Sequence, residues 1–498
     1  MDLLTSLAYG FGVVFTPANV LLALAGCLAG TLVGVLPGLG PTATIAVLLP
    51  LTFGMDPAGA LIMLAGIYYG AMYGGSTTSI LLNVPGEAAS VATTLDGYAL
   101  ARQGRAGPAL GIAAIGSFFA GTVSAVALAL MGRPLADVAV RFGPPEYTAL
   151  TLLALGTIGL TGGESAVRSF AMGALGLLLA TVGTDRVGGV ERFTFGVPYL
   201  YEGVDFLLVM LAFFAVTEVL STLARGEEGA FTPPPRGLRS LLPTADDLRR
   251  SAWPMVRSAI LGFVIGVLPG GGVVTAAFLA YAMEKRLARD RGRWGKGAIE
   301  GVAAPETANN AAAGGALVPL LSLGIPGSGS AAMLLGAMTI TGVQAGPLLF
   351  QQRPDVAWGL IASLYLGNVV LLVLNLPLVP VFASILRTPY RILYPIVLVL
   401  SLTGAYVTRT QLFDLWLLLA FSVAGFLLVR RGFPPAPLVV GLVLGPLFEQ
   451  SLRQSLLLAR GDWAIFVRRP WSAAFLAGFV LSLAAPLLLG AVRWRRPA

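Results

Sequence analysis

Pro37, Gly38 and Gly40, followed by Thr42 and Thr44, set helix-breaking residues beside two hydroxyls in an otherwise apolar stretch. Pro269, Gly270 and Gly272, followed by Thr275, repeat the pattern in the second half of the chain. Proline removes a backbone donor and clashes with the preceding turn, and glycine relaxes the chain, so neither stretch holds one unbroken helix. At membrane depth such freed backbone groups survive only when buried in protein or facing water. The chemistry they offer is ion binding. Unwound carbonyls and hydroxyls can hold a cation, and the N-terminus of a restarting helix favours an anionic group. For a single motif, a mere kink or tight helix packing would explain the pattern as well; two motifs in register make that explanation weaker.

A second signature follows each first one. Gly74-Gly75 leads to Asn83-Val84-Pro85-Gly86-Glu87 and Ser90, and Gly314-Gly315 leads to Gly324-Ile325-Pro326-Gly327-Ser328 and Ser330. Substrate-binding candidates are therefore Asn83, Pro85, Gly86, Glu87, Ser90, Gly324, Pro326, Gly327, Ser328 and Ser330. Ion-binding candidates are Pro37, Gly38, Gly40, Thr42, Thr44, Pro269, Gly270, Gly272, Thr275, Asn309 and Asn310. Gly86 and Gly327 are expected to let backbone approach a ligand closely, so that valine there stops uptake without unfolding the protein. Any one Ser or Thr could instead bond back to its own helix or pack against a neighbour. Glu87 and Glu306 carry more weight, because a carboxylate in an apolar segment is expensive and usually functional. Glu87 could also cap a first turn.

No Lys or Arg falls within residues 18–99, 258–284 or 297–352. A polyanionic substrate would be held there without a basic clamp, by helix N-termini, hydroxyls and co-bound cations. That favours coupled cation–carboxylate binding. The sequence shows no nucleotide loop, metal cluster or nucleophile–histidine arrangement, so no enzyme is expected. There is no histidine, and Cys27 is the single cysteine, which excludes an intrachain disulfide and the usual neutral-pH proton carrier. No cofactor is expected beyond a coupling ion: sodium, with the proton as alternative through Glu87 and Glu306.

These motifs need membrane-spanning elements to position them. Of 498 residues, 56% are hydrophobic and 11% charged, with mean hydropathy +0.83; soluble proteins carry roughly 25% charged residues. An all-α polytopic membrane protein follows, with about 11–12 transmembrane helices. The ordered recurrence of both signatures predicts two structural repeats, 1–223 and 256–498, each with a re-entrant or broken-helix pair. Residues 224–255 read as a cytoplasmic linker, whose mixed charge and triple proline suggest a solvated connector, not a helix. The basic flanks of the second LPG stretch (Arg249, Arg250, Arg257; Lys285, Arg286, Arg289, Arg291, Arg293, Lys296) would keep both its ends in the cytoplasm. The first stretch lacks such flanks, so the repeats are predicted to be inverted. A net charge of +8 is explained by this orientation and calls for no nucleic acid. The N-terminus has no basic leader and does not read as a cleaved signal peptide.

At residues 30–51, 68–116 (with Asp96-Gly97-Tyr98-Ala99), 264–280, 305–346 and 446–470 the chain resembles the large membrane subunit of tripartite tricarboxylate transporters, the TctA family. The resemblance covers essentially the whole chain. It implies a secondary transporter of the bacterial cytoplasmic (inner) membrane, importing di- or tricarboxylates with a cation gradient. Its implied partners are a small four-helix membrane subunit and a periplasmic solute-binding protein. Which carboxylate is carried does not follow; citrate is one member of the class. Two alternatives remain: the large subunit of another binding-protein-dependent carboxylate transporter, and an ion channel or membrane scaffold.

Overall fold

The computed structural model describes residues 2–36, 40–83, 85–161, 165–185, 188–225, 237–268, 272–385 and 390–494. The first half begins with α1 (Leu3–Val14), α2 (Pro17–Gly34), α3 (Pro41–Leu48), α4 (Pro57–Leu82), α5 (Val91–Leu100) and α6 (Ala106–Ala139). It continues with α7 (Pro144–Thr161), α8 (Ala166–Ala180), α9 (Phe206–Met210) and α10 (Thr217–Arg225). Between α8 and α9, β1 (Gly183–Thr184) pairs antiparallel with β2 (Glu191–Arg192), Gly183 facing Arg192. The second half opens with α11 (Leu238–Leu241), α12 (Ala245–Val267), α13 (Val273–Leu287), α14 (Glu300–Gly315), α15 (Leu317–Leu323) and α16 (Gly329–Ile340). Then come α17 (Leu349–Gln352), α18 (Pro354–Asn375), α19 (Val379–Ile385), α20 (Tyr390–Arg409) and α21 (Leu412–Arg430). The chain closes with α22 (Ala436–Leu458), α23 (Ile465–Arg468) and α24 (Pro470–Trp494).

This is an all-α polytopic membrane protein. Among the described residues, five helices are long and apolar enough to cross a bilayer: Pro17–Gly34, Pro57–Leu82, the run Ala88–Ala139, Pro354–Asn375 and Leu412–Arg430. Other apolar helices are shorter, such as Pro41–Thr52 and Gly329–Ile340, because the Gly/Pro signatures cut their stretches. Proline stands at the N-terminus of α2, α3, α4 and α18, where its missing donor costs nothing. On α21, Leu412, Trp416, Val423 and Leu427 form an exposed stripe suited to lipid.

The core is built from close-packed backbone. From Ala58 to Leu81, α4 is wholly buried, and α2 lies against it. A Cβ built on Gly26, Gly30 or Gly34 would stand 2.2, 2.4 or 2.6 Å from the carbonyl oxygen of Met63, Ile67 or Ala71. No side chain fits there, so the small residues set how near the axes come. The same approach recurs between α12 and α14, where Gly262 and Gly266 would each meet the carbonyl oxygen of Ala308 or Ala312 at 2.2 Å. Gly74 meets Gly34 and Val35; Gly315 meets Gly266 and Val267. The counterpart of Gly74 is thus Gly315, one residue off the pairing that the doublets suggest by eye.

One expectation about local structure changes. The linker is not extended throughout: α12 begins at Ala245, seeded by a capping box in which Thr244 and Asp247 hydrogen-bond reciprocally. Reciprocal capping outweighs the charge that made residues 245–250 look like a connector. The expected break at the second signature lies between α15 and α16, with Gly324 left-handed at φ 71°.

Candidate functional site

Both second signatures build the same turn. Asn83 caps α4 in the left-handed region at φ 58°, as Gly324 caps α15. Glu87 then opens a short 3-10 turn (Ala88–Ser90) leading into α5, and Ser328 opens α16, both with extended backbone. Ser328 Oγ accepts from the Ala331 amide at 3.1 Å, so its side chain is a helix cap. Ser90 Oγ donates to the Glu87 carbonyl at 2.8 Å. Pro85 and Pro326 lie inside the two turns.

Gly86 and Gly327 approach backbone of their own half. A Cβ on Gly86 would fall 2.4 Å from Gly75 Cα; one on Gly327 would fall 3.0 Å from the Gly266 carbonyl oxygen. This corrects the expectation that valine at Gly86 would leave the fold intact, because its Cβ alone collides with a backbone atom. The two glycines hold the turns against the first-signature helices.

The start of α3 joins the signatures. A Cβ on Gly40 would lie 3.5 Å from the Glu87 Cβ, and Thr42 Oγ1 lies 2.9 Å from Ser330 Oγ. Thr44 Oγ1 donates to the Gly40 carbonyl at 3.0 Å. One restarting helix from the first half thus touches second-signature residues from both halves. In the second half, α13 packs against the turn that Glu87 opens, through Ala89, Ala92 and Ala277. Gly272 caps α13 at φ 67°, and Thr275 sits in its first turn. Pro37, Gly38, Pro269 and Gly270 lie outside the described residues.

Glu87 is 7% exposed, and its Oε1 has no hydrogen-bond partner among the described residues. The fully buried Tyr68 hydroxyl lies beside Ser328 and near Glu87. A buried ionised carboxylate is costly unless paired, and residues 18–99 supply no basic side chain. Something cationic, a proton included, is needed to balance Glu87.

Asn309 and Asn310 lie elsewhere, on α14 with Glu306. All three side chains are fully buried. Glu306 Oε2 accepts from Ser76 Oγ and Oε1 from Thr93 Oγ1, each at 2.5 Å. Asn310 Nδ2 donates to Ser117 Oγ at 2.8 Å and to Asn309 Oδ1 at 2.7 Å. Asn310 Oδ1 has no partner among the described residues. A second-half carboxylate is therefore clasped by hydroxyls of α4 and α5 from the first half. The predicted ion-binding residues do not form one cluster: they divide among the starts of α3 and α13 and this buried group.

The sequence reading missed several residues. Tyr68 is one, since nothing in the sequence sets it apart from Tyr69 and Tyr73 on the same helix. Asn368, an amide amid an apolar helix, accepts from Tyr73 Oη at 2.7 Å and donates to the Phe118 carbonyl at 2.7 Å. Asp96, fully buried, accepts from the Tyr281 hydroxyl and the amides of Gly295, Gly297 and Ala298. It fastens α5 to the loop before α14.

The chain is similar to two proteins of Agrobacterium vitis. An uncharacterized 52.8 kDa protein in the TAR-I ttuC' 3' region is 47% identical over 497 residues, covering 100% of this chain and 98% of the relative. An uncharacterized protein in the TAR-II ttuC' 3' region is 42% identical over 236 residues, 47% of this chain and 97% of the relative. No solved structure matches at a significant level. Residues 20–440, spanning both pairs of signatures, match the tripartite tricarboxylate transporter TctA family, and the chain belongs to that family.

Proposed function

We propose that this protein is the substrate-translocating large membrane subunit of a binding-protein-dependent secondary transporter that imports di- or tricarboxylates. The observation that carries it is the position of the α3 N-terminus, which touches Glu87 through Gly40 and Ser330 through Thr42. Helix N-termini from both halves gather there without a basic side chain, which suits a carboxylate held by backbone amides together with a cation. The two halves act as inverted repeats in a bacterial inner membrane. In support, Gly34 and Gly266 make matching contacts, and Arg257–Glu284 at 2.6 Å joins the feet of α12 and α13. Arg257 to the end of α12 spans about 15 Å at 1.5 Å per residue, half the ~30 Å hydrocarbon core. That is the reach of a re-entrant hairpin. A periplasmic solute-binding protein delivers the substrate, and a small four-helix subunit completes the complex.

Sodium is the coupling ion in this scheme, held near Gly40, Thr42, Gly272 and Thr275 by carbonyls and hydroxyls. The test is uptake of radiolabelled carboxylates into proteoliposomes holding both membrane subunits, with the binding protein outside and a sodium gradient at matched pH. Saturable uptake that needs both the gradient and the binding protein is expected. Non-saturating flux without the binding protein would indicate a channel. Proton coupling is the second reading, favoured by Glu87 Oε1, which has no partner among the described residues; full uptake without sodium under a proton gradient would establish it.

A further inference from the structure

A cleft of about 600 Å³ opens between the feet of α12 and α13. Five arginines line it, Arg249, Arg250, Arg257, Arg289 and Arg293, against the three carboxylates Glu284, Asp290 and Glu300. Two arginines are committed: Arg257 to Glu284 and Arg250 to Glu300, both at 2.6 Å. Asp290 Oδ1 accepts from the Gly292 amide at 3.1 Å. Arg249, Arg289 and Arg293 make no ion pair among the described residues. The cleft therefore holds excess positive charge with unused donors.

Its surroundings are apolar on one side. Trp253 lines the cleft and is 68% exposed. Above it on the same face of α12, Ile260 and Val264 are more than half exposed at helical spacing, as is Leu268 just past the helix end. At 1.5 Å per residue the stripe from Trp253 to Leu268 runs about 22 Å, more than the ~15 Å hydrocarbon half of one leaflet. Tryptophan at the foot of such a stripe marks a membrane–water boundary. The arginines therefore sit at headgroup level, with an acyl-length apolar face beside them.

We propose that this cleft binds the phosphodiester headgroup of an anionic phospholipid, with its acyl chains lying along the Trp253–Leu268 face. A free anion would use the arginines and leave the apolar face uncovered. A neutral phospholipid would cover that face and leave the arginines unmatched. Basic pockets between transmembrane helices are suited to acidic headgroups, and guanidinium groups bind phosphate oxygens bidentately. The site lies outside the group of residues around Glu87 and needs only that the chain spans a membrane.

The experiment is native mass spectrometry of the purified full-length chain, titrated with phosphatidylglycerol or phosphatidylcholine of matched chains, with inorganic phosphate as competitor. Preferential retention of phosphatidylglycerol, undisturbed by phosphate, is expected. Arg249→Gln and Arg293→Gln should each weaken that retention about fivefold, the effect of one arginine near an acidic surface. Arg286→Gln removes an arginine that does not line the cleft and should leave retention unchanged. Thermal unfolding in lipid-free detergent should match the parent for all three, separating lost lipid from lost fold. Equal retention of the two lipids would overturn the proposal. So would displacement of phosphatidylglycerol by inorganic phosphate, which would assign the cleft to a free anion. Unchanged lipid binding in Arg249→Gln and Arg293→Gln, together with loss of a co-purifying membrane partner, would assign it to a protein contact instead.

Discussion

The Thr42 and Ser330 hydroxyls lie 2.9 Å apart, although 288 residues separate them in sequence. Each stands in the first turn of a helix restarting after a Gly/Pro signature, one from each half. The contact ties two helix N-termini together where an anion would be favoured. Thr42→Val and Ser330→Ala should each lower apparent carboxylate affinity. In a double-mutant cycle the pair should show coupling of about 1 kcal/mol, the net worth of one hydrogen bond. Strict additivity of the two losses would show that the hydroxyls act separately.

Glu306 is the buried link between α14 and the Ser76 and Thr93 hydroxyls of the first half. Glu306→Ala leaves both buried hydroxyls without their acceptor and should destabilise the protein by about 3 kcal/mol, in line with leaving two buried donors unsatisfied. Glu306→Gln keeps the shape but presents an amide nitrogen that cannot accept, so it should cost less stability and still impair uptake. Thermal unfolding beside proteoliposome uptake separates the two effects. A glutamine variant that transports like the parent would make Glu306 a structural clasp alone.

Asp96 Oδ1 gathers three amides at 2.7–2.9 Å from the loop preceding α14. Asp96→Asn removes the charge that strengthens them and should destabilise this corner by about 2 kcal/mol. Limited proteolysis should then cut within residues 288–299 in the variant before the parent is touched. Tyr281→Phe, which deletes one hydroxyl donor at 2.9 Å, should show a smaller effect of the same kind.

Gly86→Ala should fail to give folded protein, since its Cβ would lie 2.4 Å from Gly75 Cα. Gly12→Ala, at a helical position with nothing within 4 Å, should behave like the parent. Size-exclusion chromatography of detergent extracts checks both. A well-behaved Gly86→Ala protein would mean that α4 and the following turn can separate without loss of fold.

Inversion of the halves is tested by cysteine labelling in the Cys27→Ala background. Gly292→Cys should react only from the cytoplasm and Asp56→Cys only from the periplasm; both residues are exposed. Asp56 caps α4 through Ala58 and Gly59, so that variant should also lose about 1 kcal/mol of stability. Labelling of both positions from one face would exclude inversion.

The positions of the helix breaks were legible in the sequence because they are local backbone chemistry. Pro85 and Pro326 cannot continue a helix, and the left-handed caps at Asn83 and Gly324 follow from residue types that tolerate positive φ. Membrane residence was equally plain, since composition decides which solvent the surface can face. The capping box at Thr244 and Asp247 was also present in the sequence, and was outweighed there by the charge and prolines around it.

Which breaks touch was not legible. Glu87 meets Gly40 and Ser330 meets Thr42 because Gly26, Gly30 and Gly34 let α2 press onto α4, while Gly262 and Gly266 do the same for α12 on α14. Those close approaches fix the height and rotation of every restarting helix, a long-range steric outcome that spacing along the chain does not encode. Asn309 and Asn310 stand three and four residues after Glu306 on α14, so helix periodicity groups them; tertiary packing decided that Ser76, Thr93 and Ser117 meet that group. It also left Glu87 Oε1 without a partner among the described residues, which no local pattern in the sequence marks. Sequence set where the helices stop; tertiary packing decided which of their ends meet.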